Sequence, residues 1–348
     1  MNKVKIKMRR YGAEGIVFSD EYSIRYITGF YFSGMMVVVG SKGRPACFVD
    51  AMNFSLAKGL LRENEEEIEL IAGPAGRALA EFSRGRKIGE LIYEDRDISV
   101  AGYEKLIKDL PGIKLIGSSG GPDILGNIRK IKDRKETDVM RRAARITVKI
   151  WKKIKKNITT GMTEKDIAAM IDMHIRSRGC LNAFPTIAAV GKNTAYPHAV
   201  PTSRRLKDNE HVLVDFGVRY KGYCSDLTRI CLNGRIDRQI MGFRDHVRKA
   251  HDLAIKTAKD GVRIDTVCGK VRKVFQDANL GDFLLHGLGH GIGVEVHERP
   301  FLRLGCPEKL KKGMFITIEP GLYREGLGGV REEDMILITE KGCEVLTL

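Results

Sequence analysis

The sequence lacks the features that would place a protein in or across a membrane. It contains no run of about eighteen or more apolar residues, the length that a transmembrane helix requires. Its N-terminus, MNKVKIKMRRYG, has no apolar segment of the kind that signal peptides carry. These absences predict a cytoplasmic protein with no membrane partner.

The sequence also lacks a cysteine pattern. Its seven cysteines are odd in number, scattered, and nowhere spaced as C-x-x-C. A disulfide framework needs paired cysteines in an oxidising compartment, and a zinc ribbon needs closely spaced thiolate pairs. We therefore predict free, buried thiols in a reducing compartment, at Cys47, Cys180, Cys224, Cys231, Cys268, Cys306 and Cys343.

Acidic residues are in deficit, 44 against 60 basic ones, which gives a formal net charge of +16. Such a charge raises the question of a nucleic-acid partner. Much of the excess lies between residues 129 and 156, but no nucleic-acid motif or interleaved aromatic residue accompanies it. We interpret these residues as the solvated face of a helix, with a surface for an anionic partner as the alternative. The opposite face carries an apolar stripe: Val139, Ala143, Ile146, Ile150 and Ile154.

The composition, 43% hydrophobic and 30% charged, is that of a globular protein, and 348 residues are too many for one ordinary core. Residues 1–126 alternate β-branched runs with helical segments such as 52–62 and 99–109, which predicts an α/β domain with a parallel or mixed sheet. The runs are EGIVFSD, MMVVVG, PACFVD, IELIAG, KIGELIYE and IKLIG. The turn-rich residues 117–133 predict a domain boundary near residue 126.

Residues 127–348 show one pattern twice, two helical segments followed by strand-like runs. The predicted helices are about 136–156 and 164–177, then about 237–258 and 265–279. The runs TIAAVG, HVLVDFGV and YCSDLTRICL follow the first pair, and MFITIEPG and MILIT follow the second. Thr163 with Asp166 predicts a capping box. The repeat predicts two similar halves that share a sheet.

Two aspartates lie on the predicted hairpin of the first half. A turn centred between Tyr220 and Lys221 would place Asp215 directly opposite Asp226, with their Cβ atoms about 5 Å apart. Like charges so close together, among apolar neighbours, are costly unless something compensates them. A divalent cation would compensate them, whereas ordinary surface aspartates are the alternative reading of this pair.

Two glutamates repeat the arrangement in the second half. Glu319 and Glu333 flank PGLYREGLGGVRE, whose centre is Gly326, so they too could face each other across a hairpin. Arg331 lies two residues before Glu333 and would project from the same face of a strand. We expect it to hold either a substrate carboxylate or a neighbouring carboxylate side chain.

The histidines are concentrated in HGLGHGIGVEVHE, residues 286–298. His286 and His290 have the spacing of a helical zinc site, but the alternating glycines oppose a helix and exclude an HExxH-type protease. His290 is therefore the better ligand candidate, and His286 a structural residue. His297 is either a group that supports a metal ligand or one that faces the substrate. His198 carries no local signal of its own.

One histidine with four carboxylates is an oxygen-rich donor set that suits Mn²⁺, Co²⁺, Fe²⁺ or Zn²⁺ better than a thiolate site would. Two such metals close together can share a bridging hydroxide, make it nucleophilic near neutral pH and stabilise an oxyanion. The residues therefore predict hydrolytic chemistry.

With these motifs the chain resembles the pita-bread metallopeptidases, a group that includes methionine aminopeptidase, aminopeptidase P and prolidase. The resemblance implies an α+β fold, in which residues 127–348 form a pita-bread catalytic domain of two pseudo-symmetric halves with a curved antiparallel sheet covered by helices. Residues 1–126 would form a smaller α/β creatinase-like N-terminal domain. The matching motifs, in the family's order, are VDFG with Asp215, SDLTR with Asp226, GHGIGVEVHE with His290 and His297, TIEPG with Glu319 and GVREED with Glu333.

The resemblance also implies roles. It implies two divalent metal ions per chain, Mn²⁺ or Co²⁺ in the first place and Zn²⁺ or Fe²⁺ as alternatives. Asp226 and Glu333 would bridge the metals and Asp215 would bind one of them. His290 and Glu319 would bind the other, and Glu319 would also act as general base. Contact with the substrate or intermediate would come from His198, His297 and Arg331.

Three features resemble the Xaa-Pro branch of this family: Arg331, the HERP sequence, and the preceding domain with IRYITGF. The Xaa-Pro bond is a tertiary amide without an N–H, which calls for a dedicated site. We therefore predict a prolidase acting on proline-containing dipeptides, and the family suggests a homodimer. The alternatives are an aminopeptidase P acting on longer peptides and a pita-bread binding protein without catalysis. Glu332 and Phe301 depart from the family pattern and leave the dipeptide preference open.

Overall fold

A computed structural model describes residues 13–61, 68–94, 98–118 and 124–348. The prediction that no signal peptide is present concerns residues 1–12, which lie outside the described residues, as do residues 119–123 of the turn-rich segment. The chain divides into two compact units, residues 1–128 and 129–348. Within the described ranges, no helix combines the length and the apolar character that crossing a membrane would need.

The N-terminal unit is built on one mixed six-stranded sheet. Its strand order is β4-β3-β2-β1-β5-β6, with antiparallel pairing from β1 to β3 and parallel pairing elsewhere. The six runs predicted from the sequence form the strands β1 (Gly15–Phe18), β2 (Met36–Gly40), β3 (Ala46–Val49), β4 (Glu69–Ala72), β5 (Glu90–Tyr93) and β6 (Lys114–Gly117). The mixed α/β prediction is confirmed.

The helices of this unit include two that the sequence did not predict. The first of them begins where the Asp20 side chain accepts a hydrogen bond from the Ser23 amide, and it ends at Gly29, whose φ of 87° suits glycine. Apolar clusters cover both faces of the sheet, with Phe18 in one and Phe48 in the other. The helices are α1 (Glu21–Thr28), α2 (Ala51–Leu61), α3 (Ala75–Gly85) and α4 (Val100–Asp109), followed by α5 (Ile124–Arg129) at the division between the units; α1 and α3 are the unpredicted ones.

The second unit has four long helices, each within two residues of its predicted bounds. They are α6 (Arg134–Ile154), α7 (Glu164–Arg176), α8 (Arg238–Thr257) and α9 (Ile264–Asp277). The predicted capping box of Thr163 and Asp166 is present at α7. On α6 the stripe from Ala143 to Ile154 is buried and Val139 is half-buried, while most of the basic residues are exposed. The structure therefore confirms an amphipathic helix.

The strands described in this unit pair in antiparallel fashion. In the first half they are β7 (Leu181–Asn182), β8 (Ile187–Val190), β9 (Glu210–Asp215), β10 (Val218–Tyr220), β11 (Tyr223–Cys224) and β12 (Thr228–Asn233). In the second half they are β13 (Gly289–Gly291), β14 (Glu298–Leu302), β15 (Phe315–Ile318), β16 (Gly321–Arg324), β17 (Gly328–Arg331), β18 (Asp334–Ile338) and β19 (Cys343–Val345). Short 3-10 turns cover Gly191–Ala195 and Gly281–Phe283.

Hydrogen bonding divides these strands among four ladders instead of one continuous sheet. The orders are β11-β10-β7, β12-β9-β8, β14-β13-β15-β18-β19 and β16-β17. Backbone hydrogen bonds also join the two halves: the amide of Glu333 donates to the carbonyl of Thr228 over 3.3 Å, and the amide of Cys224 donates to that of Gly293 over 2.7 Å. Helices α6 and α7 pack over the strands of the first half, and α8 and α9 pack over those of the second.

The two hairpins test the predicted pairing. In the second half, Ile318 pairs with Asp334 and Gly321 with Arg331, so the same register places Glu319 opposite Glu333, as predicted. In the first half, Asp215 pairs with Thr228. The predicted direct opposition of Asp215 and Asp226 is therefore wrong by two positions.

The physical reason is the turn. Tyr220 pairs with Tyr223, so the loop consists of Lys221 and Gly222, one residue later than the predicted centre. Both have positive φ, 48° and 84°, the backbone of the tight turn that matches the twist of a hairpin. Because side chains alternate with a period of two, the shift of two positions leaves Asp226 on the predicted face.

Close packing at Gly217 fixes this hairpin. A Cβ atom there would lie 1.8 Å from the backbone oxygen of Ser225, which cannot yield without moving the strand. We expect Gly217→Ala to destabilise the protein by about 1–3 kcal/mol. The matched control is Gly269→Ala on α9, where the added methyl group would have no neighbour within 4 Å. It should stabilise the protein by about 0.5–1 kcal/mol, and equal effects of both variants in urea unfolding would contradict the prediction.

Candidate active site

One cavity of about 400 Å³ collects the candidate residues. Strand ends and the loops that follow them supply the side chains. Its wall includes all five predicted metal ligands and all the predicted substrate-contact residues, together with His286: Asp215, Asp226, His290, Glu319, Glu333, His198, His297 and Arg331. The volume is in the range of small-molecule sites.

Three of these side chains form the tightest group. Asp226, His290 and Glu333 each offer a ligand atom, and these atoms all lie within 4.8 Å of one another. All three residues are buried. Glu319 adjoins them, since its Oε1 lies 3.4 Å from Nε2 of His290. Asp215 lines the same cavity but is held through its Oδ2 by Arg331.

His290 presents an unprotonated nitrogen to the carboxylates. Its Nδ1 hydrogen-bonds the carbonyl of Gly291 over 3.1 Å, so Nδ1 carries the proton and Nε2 carries the lone pair. Nε2 points towards Oδ2 of Asp226, 3.7 Å away, and towards Glu319. Burial, with a smaller contribution from His297, lowers the pKa of His290 to about 3. The ring is therefore a neutral donor at physiological pH.

Arg331 is enclosed by hydrogen bonds. Its Nη2 donates to Asp215 over 2.7 Å and its Nε to Thr228 over 3.0 Å. Nη1 donates to the Tyr323 hydroxyl and to the carbonyl of Pro197, over 2.7 and 3.2 Å. A guanidinium has five N–H groups, so four of them are engaged. Of the two roles expected from the sequence, this geometry favours orientation of the Asp215 carboxylate.

Glu333 is held from both of its polar ends. Its Oε2 accepts a hydrogen bond from the Thr228 hydroxyl over 2.7 Å, and its backbone oxygen accepts from Arg229 over 2.5 Å. The acidic neighbours face elsewhere, because Glu332 pairs with Arg248 and Asp334 pairs with Arg229. Strand alternation thus turns Glu333 towards the cavity.

Burial and neighbouring negative charges raise the pKa values of these carboxyl groups. Burial, followed by Glu333 and Asp215, raises the pKa of Asp226 well above its ordinary value. Burial, followed by Glu319 and Asp215, does the same to the pKa of Glu333. Burial also raises the pKa of Glu319 to about 7, although the nearby Arg331 opposes the change. Several like charges in a dry site call for a cation.

The remaining histidines occupy different places in the cavity. Both nitrogens of His286 are engaged, Nδ1 with the carbonyl of Gly287 over 2.7 Å and Nε2 with the Tyr323 hydroxyl over 2.8 Å. His198 and His297 are exposed to the cavity. The ring of His297 lies edge-on to that of His290, with centroids 4.3 Å apart.

The donor set fits divalent metal ions. Oδ1 of Asp215 and Oδ1 of Asp226 are buried without a hydrogen-bond partner among the residues that the structure describes. Unpaired buried carboxylate oxygens are costly, and a bound cation would satisfy them. Asp226, His290 and Glu333 would hold a metal, with Asp215 and Glu319 at its sides. Carboxylate oxygens with one imidazole suit borderline and hard divalent ions.

Some site residues were not predicted from the sequence. Thr228 connects Arg331 to Glu333. The hydroxyl of Thr317 accepts a hydrogen bond from the His290 amide over 3.1 Å and approaches Oε1 of Glu319 at 3.5 Å. Thr317 lies two residues before Glu319, so strand alternation could have identified it. Tyr323 and the apolar wall, formed by Phe184, Pro185 and Val296, gave no comparable signal.

Comparisons with known proteins agree with this geometry. Residues 138–340 match the model of metallopeptidase family M24, and residues 1–131 match that of the creatinase/prolidase N-terminal domain. The chain is 35% identical to the Xaa-Pro dipeptidase of Pyrococcus furiosus over 351 residues, which covers 95% of this chain and 96% of that protein.

Two solved structures share the fold. The Xaa-Pro dipeptidase from Bacillus anthracis superposes with a TM-score of 0.92 at 28% identity, over 99% of this chain and 96% of the other. The X-Pro aminopeptidase from Thermotoga maritima gives 0.87 at 28% identity, over 98% and 97%. The creatinase-like N-terminal domain and the pita-bread domain are thus both confirmed. The chain belongs to metallopeptidase family M24.

Proposed function

We propose that the protein hydrolyses Xaa-Pro bonds, and that its preferred substrates are dipeptides. The observation that carries the proposal is the convergence of four carboxylates and one neutral imidazole in a cavity with an apolar wall. The similarity to an Xaa-Pro dipeptidase over nearly the whole chain supports the substrate class. The cavity volume of about 400 Å³ suits a small peptide.

The proposed cofactor is a pair of divalent ions, Mn²⁺ or Co²⁺ in the first place, with Zn²⁺ or Fe²⁺ as alternatives. Bound there, such ions would polarise the scissile carbonyl and lower the pKa of a water molecule towards 7. Asp215, Asp226, His290, Glu319 and Glu333 are the proposed ligands. Arg331 fixes Asp215 through a charge-assisted hydrogen bond, so that ligand needs no rearrangement.

Glu319 is the proposed general base. Burial raises its pKa to about 7 in the metal-free protein, and the proposed role requires the carboxylate form, which metal binding would favour. His198 and His297 are the proposed contacts to the substrate, because both are exposed to the cavity and lie near each other there. The apolar wall at Phe184 and Pro185 would accept the proline ring.

A comparison of Ala-Pro with Ala-Pro-Ala tests the proposal. The metal-loaded enzyme should hydrolyse Ala-Pro with the higher kcat/KM, and chelation followed by addition of Mn²⁺ or Co²⁺ should remove and restore activity. A preference for the tripeptide would instead identify an aminopeptidase P. One observation favours this second candidate. Four of the five N–H groups of Arg331 already donate to residues that the structure describes, so the guanidinium has little capacity left to hold the carboxylate of a dipeptide. Absence of hydrolysis with every metal would support a binding protein.

We also propose a reducing, cytoplasmic setting and a homodimer. All seven cysteines are free, and burial raises the pKa of Cys47, Cys224 and Cys268 to about 12, which keeps these thiols unreactive. The homodimer follows from the family resemblance, and sedimentation of the purified protein would test it.

A further inference from the structure

A buried charge cluster lies beside the cavity without lining it. Glu298, at the start of β14, accepts hydrogen bonds from two cations of the segment that precedes α6. Its Oε1 lies 2.6 Å from Nζ of Lys132, and its Oε2 lies 2.6 Å from Nη2 of Arg129. The three side chains are at most 6% exposed. Lys132 and Arg129 keep the pKa of Glu298 below its usual value despite burial, so the cluster is charged.

Arg129 also holds the loop that precedes Glu298. The same Nη2 that contacts Glu298 lies 2.6 Å from Oε1 of Glu295. One guanidinium therefore ties together two points of the loop, three residues apart. At Gly293 a Cβ atom would lie 2.5 Å from the carboxylate of Glu298, so the loop backbone passes directly over the cluster. The loop is thus fixed at several points along its length.

His297 is the residue that this arrangement holds in place. It lies between the two anchored glutamates and immediately before Glu298. The chain bends through residues 293–297 and becomes strand β14 at Glu298. Glu298 points into the buried cluster, and His297 points into the cavity, with its ring against that of His290.

Resting on the proposed function, we infer that Arg129, Lys132 and Glu298 are positioning residues for His297. They belong neither to the cavity wall nor to the proposed ligands, and they act by fixing the backbone that carries the imidazole. A rigid support is what a substrate-contacting group requires. A buried, fully paired ion cluster is a costly way to gain stability alone, which favours a role in geometry.

The first test uses Arg129→Lys. Lysine preserves the positive charge beside Glu298, but its shorter side chain and single nitrogen cannot reproduce both the Nε and the Nη2 contacts of Arg129, of which Nη2 also reaches Glu295. We expect kcat/KM for Ala-Pro to fall about 10-fold, because misplacing a catalytic contact by about 1 Å costs up to about 100-fold. Affinity for Mn²⁺, measured by calorimetry, should fall by less than kcat/KM does, since none of the proposed ligands lies in the loop between Glu295 and Glu298.

Lys130→Met is the matched control. Lys130 belongs to the same segment and pairs with Glu308 over 2.5 Å, away from the loop. This variant loses one partly buried ion pair of the same segment and should keep its kcat/KM. If it loses as much activity as Arg129→Lys, the segment supports the domain in general and the inference is wrong.

A double-mutant cycle separates positioning from overall damage. In a His297→Ala background, Arg129→Lys should change kcat/KM by less than about twofold, because its effect passes through the missing imidazole. An undiminished loss in that background would overturn the inference.

Histidine NMR gives a readout that requires no substrate. The imidazole signals of His297, assigned by their absence in His297→Ala, should shift or broaden in Arg129→Lys and remain unchanged in Lys130→Met. Unchanged signals in both variants would overturn the inference. Failure of the wild-type enzyme to hydrolyse Ala-Pro, with shifted signals in Arg129→Lys, would instead count against the proposed function alone.

Discussion

Replacing His290 by alanine is expected to lower affinity for Mn²⁺ or Co²⁺ by more than about 100-fold, beyond the usual cost of altering a supporting residue around a metal. His290 supplies the only nitrogen in the tight group with Asp226 and Glu333. Without it, two buried carboxylates face each other with no neutral donor between them. Hydrolysis of Ala-Pro should be lost together with the metal.

The matched control is His286→Ala, which removes the other histidine of the same glycine-rich stretch. Both of its ring nitrogens are already hydrogen-bonded, to Gly287 and to Tyr323, so neither is available to a metal. This variant should retain bound metal in full, with a smaller loss of activity through the displaced Tyr323. Calorimetric titration and metal analysis after gel filtration measure both variants. Retention of metal by His290→Ala, or its loss from His286→Ala, would contradict the assignment.

The contrast between these histidines was predictable from the sequence because glycine is informative about the backbone. Alternating glycines exclude a helix, and Gly289–Gly291 indeed forms the strand β13. The remaining local predictions depended on the same kind of evidence. Periodic apolar residues located α6 to α9 within two residues, and the alternation of strand residues placed Arg331 on the same face as Glu333.

Register was harder to predict than strand position. The second hairpin is symmetrical about Gly326, and its predicted pairing is confirmed. The first turns at Lys221–Gly222, one residue later than predicted, because Gly222 occupies the second position of the turn with a φ of 84°. The predicted pairing therefore placed Asp226 opposite Asp215, where Thr228 lies in the structure. For this reason nothing in the sequence indicated that the Thr228 hydroxyl connects Arg331 to Glu333.

Contacts between distant parts of the chain had no sequence signal at all. Arg129 and Glu298 are 169 residues apart, and nothing in the periodicity of either segment indicates a buried ion pair. The basic residues of this region were interpreted together as a solvated helix face, which holds for most of α6 but not for Arg129 and Lys132. Charge alone does not predict burial, because pairing decides whether a cation can leave water.

The pH dependence of metal binding should report the crowded carboxylates. Metal ligation requires them as anions, so binding below about pH 7 must displace protons. In the metal-free protein these protons are held by Glu319, whose pKa is about 7, and by Asp226 and Glu333, whose pKa values are raised. His290 contributes none, because its pKa of about 3 leaves it neutral.

Metal affinity should therefore fall as the solution becomes more acidic. Below about pH 7, lowering the pH by one unit decreases the metal affinity about tenfold for each proton that binding must release. Above the pKa values of the carboxylates, the metal affinity no longer depends on pH. We expect calorimetry at about pH 6, repeated in buffers of different ionisation enthalpy, to show net release of at least about one proton per site. Glu319→Gln should bind metal more weakly and release fewer protons, while His297→Gln should leave the proton count unchanged. A proton release that persists in Glu319→Gln and disappears in His297→Gln would show that a histidine, and not the buried carboxylates, controls metal binding.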